Sequence, residues 1–299
     1  MGGDCRPIRT GGHRVTDRKA IFLDVDGTLV NDVGRIPASA VSAVRAARGS
    51  GHLVFLCTGR SEPELWPEIL DIGFDGLIAG SGAFVRVGED VLVDHHLAEP
   101  DLRHVIAFFD AHGVDYYFQT SDGIYGTPRL PAHLVRIIRD TVGDQDVLAE
   151  LEPGLFGFIE AIKVDADPFS TRVTKVLYID SSVPLEDVRA EFAGSFDVVP
   201  ASVPIFGPNC GEMMIAGVHK ATGIDALIDH LGIDRADTIA IGDNYNDLEM
   251  LAHVQVGIAM GNAPRQVKDV ADEQTACVDE DGLALAFGRH GLTGGAPGR

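Results

Sequence analysis

Two aspartates separated by one residue lie directly after a short apolar run near the start of the chain. Asp24 and Asp26 follow the run 20–23, and Gly27 comes next. The run is typical of a buried strand that ends at a turn. Because side chains alternate along a strand, residues i and i+2 point to the same side, and both carboxylates can address one site. Paired carboxylates at a strand end indicate Mg²⁺-dependent phosphoryl chemistry, although the pattern alone is equally typical of a solvated Asp-Gly turn.

Three further polar segments favour the phosphoryl interpretation. The apolar run 52–57 ends in Thr58-Gly59-Arg60, whose hydroxyl and backbone N–H groups are donors that suit a phosphate. Lys220 begins a helical pattern and supplies a fixed cation. The run 238–241 ends in a third polar cluster, Gly242-Asp243-Asn244-Tyr245-Asn246-Asp247. Ligands of open α/β sheets bind at the carboxyl ends of the strands, which is where this pattern places the segments.

The elements that must position these segments alternate between strands and helices. The spacing over 36–48 predicts a helix, and 76–79 predicts a third strand before a hinge at Gly80-Ser81-Gly82. This repetition predicts a parallel doubly wound sheet. From Ala83 onward the pattern changes to mixed elements: a hairpin at 84–94, helices near 102–111 and 185–192, and strands near 116–119, 173–179 and 196–199. A separate α+β domain is therefore expected, with a return to the first domain at 207–209.

Taken in order, the segments DxDGT, TGR, Lys and GDNxND resemble the motifs of the haloacid dehalogenase superfamily of phosphohydrolases. The form of the last motif and the long insertion before Lys220 resemble the Cof-type, sugar-phosphatase-like subfamily with its class IIB cap. The resemblance covers residues 19 to 288. It implies the fold class α/β, a Rossmann-like parallel sheet core with an inserted α+β cap domain. The corresponding division is a flexible segment 1–18, a core of 19–82 and 208–288, a cap of 83–207, and a flexible tail 289–299.

The same resemblance implies roles for the carboxylates. Asp24 corresponds to the nucleophile that forms an aspartyl-phosphate. Asp26 corresponds to the general acid and base, a role that requires a pKa raised by its surroundings. The family's ATPases lack this second acid, so its presence favours ester hydrolysis or a mutase. Mg²⁺ is expected on the side chains of Asp24 and Asp243 and on the backbone carbonyl of Asp26.

The phosphate-binding residues follow from the resemblance in the same way. Thr58 and Gly59 correspond to the groups that hold the transferring phosphoryl group. Lys220 corresponds to the cation that neutralises charge on that group and orients Asp24.

The polar cluster after the fourth strand end is implied to support this chemistry. Asn246 is expected to contact phosphate, and Asp247 to orient Lys220 or to support the metal ligands. Asn244 is expected to be a further supporting residue. Two interpretations of Arg60 stay open, a substrate contact or a surface arginine after a glycine turn.

Two positions depart from the subfamily pattern. Ser81 stands where these proteins often have Asn, and His219-Lys220-Ala221 replaces a more usual Ser-Lys-Gly. The first change is expected to alter a contact between hinge and substrate. The second leaves the lysine intact, although Ala221 has less backbone freedom than glycine.

Composition limits the classes of protein that the chain can belong to. With 299 residues, 45% of them hydrophobic, it can bury a sizeable core in two domains. It carries 24 Lys and Arg against 45 Asp and Glu, a formal charge of -21, and these charges would repel nucleic acid. Its apolar stretches are shorter than the roughly 18 residues that span a bilayer, so no membrane partner and a soluble cytoplasmic protein are predicted. Four scattered cysteines without CxxC spacing argue against a zinc site or a disulfide framework.

These observations predict an Mg²⁺-dependent phosphatase that hydrolyses small phosphate monoesters of metabolites through an aspartyl-phosphate. Sugar phosphates, nucleotides and phosphorylated cofactors such as pyridoxal phosphate stay open as substrates. Two alternatives remain, a phosphomutase and a noncatalytic regulator on the same fold that binds metal or a phosphoester. The sequence leaves monomer and homodimer equally open.

Overall fold

The structure is a computed structural model that describes residues 18–142, 157–201 and 209–294. Its strands are β1 (Ala20–Leu23), β2 (Leu53–Cys57), β3 (Gly76–Ala79), β4 (Phe84–Val87), β5 (Asp90–Asp94), β6 (Asp115–Thr120), β7 (Gly123–Gly126), β8 (Ile162–Lys163), β9 (Val173–Ile179), β10 (Phe196–Pro200), β11 (Gly211–Ile215), β12 (Thr238–Gly242), β13 (Val256–Ala259) and β14 (Glu273–Gln274). Its helices are α1 (Ala38–Gly49), α2 (Pro67–Leu70), α3 (Glu99–His112), α4 (Leu130–Val142), α5 (Leu185–Glu191), α6 (Lys220–Leu231), α7 (Leu248–His253), α8 (Arg265–Val270) and α9 (Gly282–Arg289).

The first sheet has eight strands in the order β14-β13-β12-β1-β2-β3-β4-β5. Strands β14 to β3 run parallel, with β1 at the centre between β12 and β2. A central parallel strand is covered by helices on both faces, which explains why β1 is a continuous apolar run without alternation. The predicted parallel core is therefore confirmed.

Apolar side chains from both faces of this sheet are buried under helices. On one face Phe22 stacks on Phe55 with ring centroids 5.3 Å apart, and α6 and α7 pack over them. On the other face Ile21 and Leu23 join a cluster with residues of α1 and α9. Helix α6 ends at Leu231, and the next residue, Gly232, has a φ of 63°, the left-handed conformation that stops a helix. The helices packed on the two faces hold the sheet in place, and with it the strand ends that carry the polar segments.

The hairpin β4–β5 belongs to the first sheet, which corrects its predicted placement in the cap. Strand β4 pairs antiparallel with β3, in the register Gly76↔Val87 and Ala79↔Phe84, and β5 forms the sheet edge. A hairpin is recognised in a sequence by its own turn and alternation, and these local signals do not say which sheet it extends. The remainder of the predicted domain division stays a prediction.

The second sheet has six strands in the order β10-β11-β9-β6-β7-β8, and all its pairs are antiparallel except β7 with β8. Residues of α3 and α5 pack on one face around Phe109 and Phe192. Residues of α4, among them Leu134 and Ile138, pack on the other. This mixture of hairpins and helices is the predicted α+β insertion.

The ends of the chain and one predicted boundary fall largely outside the described residues. Positions 1–17, 207–208 and 295–299 are among those not described, so most of the predicted flexible ends and the return at 207–209 are untested. Within the predicted flexible tail, however, Leu292 is buried in the first core. The ordered part of the chain therefore extends beyond residue 289, because the buried side chain of Leu292 holds the segment after α9 against the first core. In the described part of the chain, no helix combines the length and apolarity needed to cross a membrane.

Candidate active site

Two neighbouring parallel strands bring the first and last acidic segments together. Asp24 follows β1 and Asp243 follows β12, and the backbone N–H of Asp24 donates to the carbonyl of Ile241 at 3.0 Å. Pairing of Leu23 with Ile241 places both carboxylates at the same edge of the sheet. Residues more than 200 positions apart in the chain thus become neighbours through sheet register.

A fully buried lysine lies between two of these carboxylates. Lys220 Nζ donates to Asp24 Oδ1 at 2.5 Å and to Asp247 Oδ1 at 2.6 Å. Lys220 is the first residue of α6, directly after His219, whose ring nitrogen accepts from the backbone N–H of Thr222 and caps the helix. The start of α6 therefore fixes the position of the lysine.

Asp247 uses its second oxygen on the backbone. Its Oδ2 accepts from the N–H groups of Asp243 and Asn244, both at 2.9 Å. Asn244 in turn caps the short helical turn at Tyr245–Asp247 through its side-chain oxygen. Asp247 therefore orients Lys220 and also shapes the loop that carries Asp243, and Asn244 is a support of that loop.

Crowding of carboxylates shifts their pKa values upward. Burial, with the charges of Asp247 and Asp26, raises the pKa of Asp24 to about 7 against the opposing effect of Lys220. Burial and the charges of Asp24 and Asp247 raise the pKa of Asp243 to about 9. The pKa of Lys220 is raised because the two carboxylates beside it outweigh its burial. Like charges forced together in this way are stabilised by a cation.

The carboxylates fit a hard divalent cation. Ligand oxygens of Asp24, Asp243 and Asp247 all lie within 4.8 Å of one another. Because Asp247 already accepts from Lys220 and from two backbone N–H groups, Asp24 and Asp243 are the side chains best placed to hold the ion. The side chain of Asp26 pairs with Arg60 and is therefore not available to the ion, and the metal contact expected of its backbone carbonyl stays a prediction.

Residues around Asp243 fix its carboxylate in place. Thr28 Oγ1 donates to Asp243 Oδ1 at 2.9 Å, and Asn262 Nδ2 donates to Asp243 Oδ2 at 3.2 Å and to the carbonyl of Gly27 at 2.9 Å. Gly27 has φ 84°, and a Cβ on it would lie 2.2 Å from Asp243 Oδ2. Sequence reasoning assigned no role to Thr28 or Asn262. The signal for Asn262 is its place three residues after β13, the strand next to β12.

Arg60 binds Asp26 in a bidentate pair. Its Nε and Nη2 donate to the two Asp26 oxygens at 2.8 and 2.7 Å, and its guanidinium lies 4.5 Å from the Trp66 ring centroid. Burial acts to raise the pKa of Asp26, but the charge and hydrogen bonds of Arg60 outweigh it, so the pKa is lowered. The expected raised pKa is therefore absent here. The Asp26 side chain remains 42% exposed, and water screens the pair.

The second strand end presents hydrogen-bonding groups around Gly59. Thr58 is buried, and its Oγ1 accepts from the N–H of Arg60 at 3.1 Å. A Cβ on Gly59 would lie 3.0 Å from Asn246 Nδ2 and 3.5 Å from Ser81 Oγ. Among the described residues, buried Ser81 Oγ and Asn246 Oδ1 have no hydrogen-bond partner. These groups are available to a ligand.

Two charged residues from the second sheet reach the same place. Lys175 Nζ donates to the carbonyl of Gly59 at 2.7 Å and to Glu212 Oε2 at 2.8 Å, and both side chains are almost completely buried. Sequence reasoning singled out neither residue. The signal was a lysine within the otherwise apolar strand β9 and a glutamate within β11.

A family model described as haloacid dehalogenase-like hydrolase matches residues 21–287 of the chain. The chain is 30% identical over 276 residues to YkrA of Bacillus subtilis, covering 92% of this chain and 99% of that protein. It is 27% identical over 278 residues to YitU of the same organism, a 5-amino-6-(5-phospho-D-ribitylamino)uracil phosphatase, covering 88% and 94% of the two chains.

Solved structures of similar proteins superpose over most of the chain. The subclass IIB sugar phosphatase BT4131 gives a TM-score of 0.72 at 26% identity, covering 92% of this chain and 99% of that one. A structure from a phosphoryl-transfer superfamily with a trigonal-bipyramidal intermediate gives a TM-score of 0.74 at 27% identity, with the same coverage.

Proposed function

Because the chain belongs to the haloacid dehalogenase-like hydrolases and is, as predicted, a phosphoric monoester hydrolase of the Cof type, we propose that it is an Mg²⁺-dependent phosphatase of small phosphorylated metabolites. The proposed reaction proceeds through an aspartyl-phosphate on Asp24. The observation that carries the proposal is Lys220, which holds one Asp24 oxygen at 2.5 Å at the sheet edge where Asp243 also lies.

The nucleophile is held by contacts within the chain. Lys220 holds Oδ1 of Asp24, so the other oxygen is the one that attacks phosphorus in line with the bond to the leaving oxygen. Lys220 also offers positive charge to the phosphoryl oxygens as that bond breaks. Held by Asp24 and Asp243, Mg²⁺ would neutralise negative charge on the transferring phosphoryl group.

Proton transfer falls to Asp26. In the first step its carboxyl proton goes to the leaving oxygen, and in the second its carboxylate takes a proton from the water that attacks the aspartyl-phosphate. Arg60 holds Asp26 in the ionised form, so the substrate must loosen this pair before Asp26 can carry a proton. The pair therefore stabilises the carboxylate that remains after the first step, which is the form that takes a proton from water in the second step. The proton taken from water makes Asp26 the acid again for the next turnover.

Donors around Gly59 suit the phosphoryl oxygens. Thr58, the Gly59 backbone, Ser81 Oγ and Asn246 Nδ2 lie in this region, and Ser81 Oγ has no other partner among the described residues. Contacts between Lys175 and Gly59 join the second sheet to this loop and cover it from solvent. Such cover limits the access of water while the acyl phosphate forms.

The test is phosphate release from a panel of phosphate monoesters with Mg²⁺ and with EDTA. We expect release that requires Mg²⁺, disappears in Asp24→Asn, and persists in Asp32→Asn, which changes an exposed aspartate of the following loop. Transfer of phosphate between two hydroxyls without net release would instead identify the phosphomutase. Ligand binding with neither release nor transfer would overturn catalysis and identify the noncatalytic regulator.

A further inference from the structure

An aromatic ring lies against the arginine that holds Asp26. Arg60 Nε and Nη2 donate to the two Asp26 oxygens at 2.8 and 2.7 Å, and Arg60 Nη1 donates to the carbonyl of Glu64 at 3.1 Å. The guanidinium carbon Cζ lies over the ring of Trp66, 4.5 Å from its centroid. The nitrogens of Arg60 are therefore hydrogen-bonded, while the ring covers the guanidinium itself.

Trp66 is fixed by the chain around it. It lies directly before α2, and its carbonyl accepts from the N–H of Ile69 at 3.1 Å. Its side chain is half-buried and packs against the core cluster of the first sheet, in which Ile69 is buried. The loop before it is closed by Glu64, whose Oε2 accepts from the N–H and the Oγ of Ser61 at 2.7 and 2.6 Å. The ring is therefore anchored to the core of the first sheet.

The ion pair by itself would hold Asp26 only loosely. The side chains of Asp26 and Arg60 are 42% and 24% exposed, and water screens an exposed pair so that it contributes little. Among the described residues, Arg60 alone donates hydrogen bonds to the Asp26 carboxylate. A long arginine side chain also loses rotamer freedom when it is confined to one geometry. Confinement of the guanidinium therefore needs contacts besides the pair, and the Trp66 ring and the Glu64 carbonyl supply them.

Both steps of the proposed reaction depend on the direction in which Asp26 points. In the first step Asp26 must present its proton to the leaving oxygen, and in the second it must present an oxygen to the attacking water. When the substrate loosens the pair, the Trp66 ring still lies against the guanidinium, so the pair forms again as the proton leaves. A misplacement of about 1 Å at a reacting centre costs about 100-fold in rate, so even partial loss of this confinement is measurable.

We propose that Trp66 is a positioning residue for proton transfer: its ring confines the Arg60 guanidinium, which in turn sets the orientation of the Asp26 carboxyl group; this rests on the proposed phosphatase function. Trp66 acts through Arg60 and does not need to touch the substrate. The aromatic face attracts the cation, and an aliphatic side chain cannot replace this attraction. Loss of the ring should therefore slow proton transfer and spare the transfer of phosphate from an ester that needs no proton.

Two kinds of ester separate proton transfer from the rest of the reaction. An alkyl phosphate leaves as a strongly basic alkoxide unless Asp26 protonates it, whereas p-nitrophenolate leaves as a stable anion. The value of kcat/KM covers the steps up to the aspartyl-phosphate, and kcat also includes hydrolysis of that intermediate, in which Asp26 is the base. Misorientation of Asp26 should therefore lower kcat/KM for the alkyl ester only.

The test uses p-nitrophenyl phosphate and the fastest alkyl ester among glycerol 3-phosphate, ribose 5-phosphate and glucose 6-phosphate. Trp66→Leu removes the ring, Trp66→Phe keeps a smaller one, and Arg60→Lys keeps the charge but loses the planar fork. Phe169→Leu is the matched control, because the ring of Phe169 is 39% exposed and lies 4.4 Å from the guanidinium carbon of Arg103, an arginine that is paired with Glu99. Thermal unfolding shows whether each variant is folded.

In Trp66→Leu we expect kcat/KM for the alkyl ester to fall about tenfold, which corresponds to about 1.4 kcal/mol. For p-nitrophenyl phosphate kcat/KM should stay within about twofold of wild type, while kcat falls and a burst of about one p-nitrophenolate per active site precedes the steady rate. Trp66→Phe should show the same pattern at about threefold. In the Arg60→Lys background, Trp66→Leu should cost less than about twofold further. Phe169→Leu should match the wild-type protein throughout.

Equal falls in kcat/KM for both kinds of ester would overturn the proposal and make Trp66 a structural support of its loop. Unchanged values would overturn it as well, and so would the full tenfold loss in the Arg60→Lys background, because Trp66 would then not act through Arg60. If Trp66→Leu does not fold, the same pattern in Trp66→Phe decides. If the wild-type protein hydrolyses only p-nitrophenyl phosphate, the presence or absence of the burst decides. Release from neither kind of ester by the wild-type protein with Mg²⁺ would overturn the proposed function itself.

Discussion

Replacing Gly27 with alanine tests whether the position of the Asp243 carboxylate controls activity while every carboxylate is retained. The new Cβ would lie 2.2 Å from Asp243 Oδ2 and 2.7 Å from Oδ1. The Asp243 carboxylate must move by about 1 Å to reach van der Waals distance from the new Cβ. It then loses its hydrogen bonds from Thr28 and Asn262. A misplacement of about 1 Å at a reacting centre costs about 100-fold in rate. This corresponds to about 2.7 kcal/mol of transition-state stabilisation.

Backbone strain has to be separated from this effect. Gly27 has φ 84°, and alanine in the left-handed region costs about 1–2 kcal/mol of stability wherever it is placed. Gly34 is the matched control, because its φ is 78° and a Cβ on it would have no atom within 4 Å. Gly34→Ala should therefore lose similar backbone stability and retain its activity.

The assay is the initial rate of phosphate release against Mg²⁺ concentration, together with thermal unfolding of both variants. We expect Gly27→Ala to lose about 100-fold in kcat/KM and to require more Mg²⁺ for its half-maximal rate. Gly34→Ala should match the wild-type protein in both. If Gly27→Ala keeps wild-type kcat/KM and Mg²⁺ dependence, the assignment of Asp243 as a positioned metal ligand is wrong.

Three further predictions concern burial. Lys220→Met should lower the free energy of unfolding in urea without metal by about 3–5 kcal/mol, because it leaves two buried carboxylates uncompensated; a loss below about 1 kcal/mol would contradict the arrangement. Leu292→Ala should lose about 2–4 kcal/mol, and Leu285→Ala, at a side chain 50% exposed, less than about 0.5 kcal/mol; equal losses would mean that the tail is mobile. Burial raises the pKa of Cys210 to about 11, so about one thiol in a thousand is ionised at pH 8. Iodoacetamide at that pH should label half-buried Cys277 in the folded protein and Cys210 only after unfolding, and rapid labelling of folded Cys210 would refute its burial.

Two features could not be predicted from the sequence: the sheet that a hairpin joins, and the direction in which the pKa of Asp26 is shifted. The hairpin 84–94 was recognised as a hairpin, but its pairing with β3 depends on strands that local turn and alternation signals do not reveal. The raised pKa expected for Asp26 depends on which charge lies beside it. Arg60, 34 residues later, turned out to be that charge, and it lowers the pKa.

The contact between Lys175 and Glu212 could not be predicted from the sequence for a related reason. A lysine in β9 and a glutamate in β11 are single unusual residues in apolar strands, and nothing local pairs them. Only antiparallel register, with Lys175 opposite Met214, places Lys175 and Glu212 within 2.8 Å of each other and over Gly59.

The sequence by itself determined the α/β core and the strand ends that carry Asp24, Thr58 and Asp243. Each of these follows from a short apolar run that stops at a polar turn, which is a local property of the chain. Tertiary structure alone decided which groups touch: Lys220 with Asp24 and Asp247, Arg60 with Asp26, and Lys175 with Gly59. Hydrogen bonds and charge interactions act over a few ångströms, and distances of that size between remote residues are set by sheet register and helix packing.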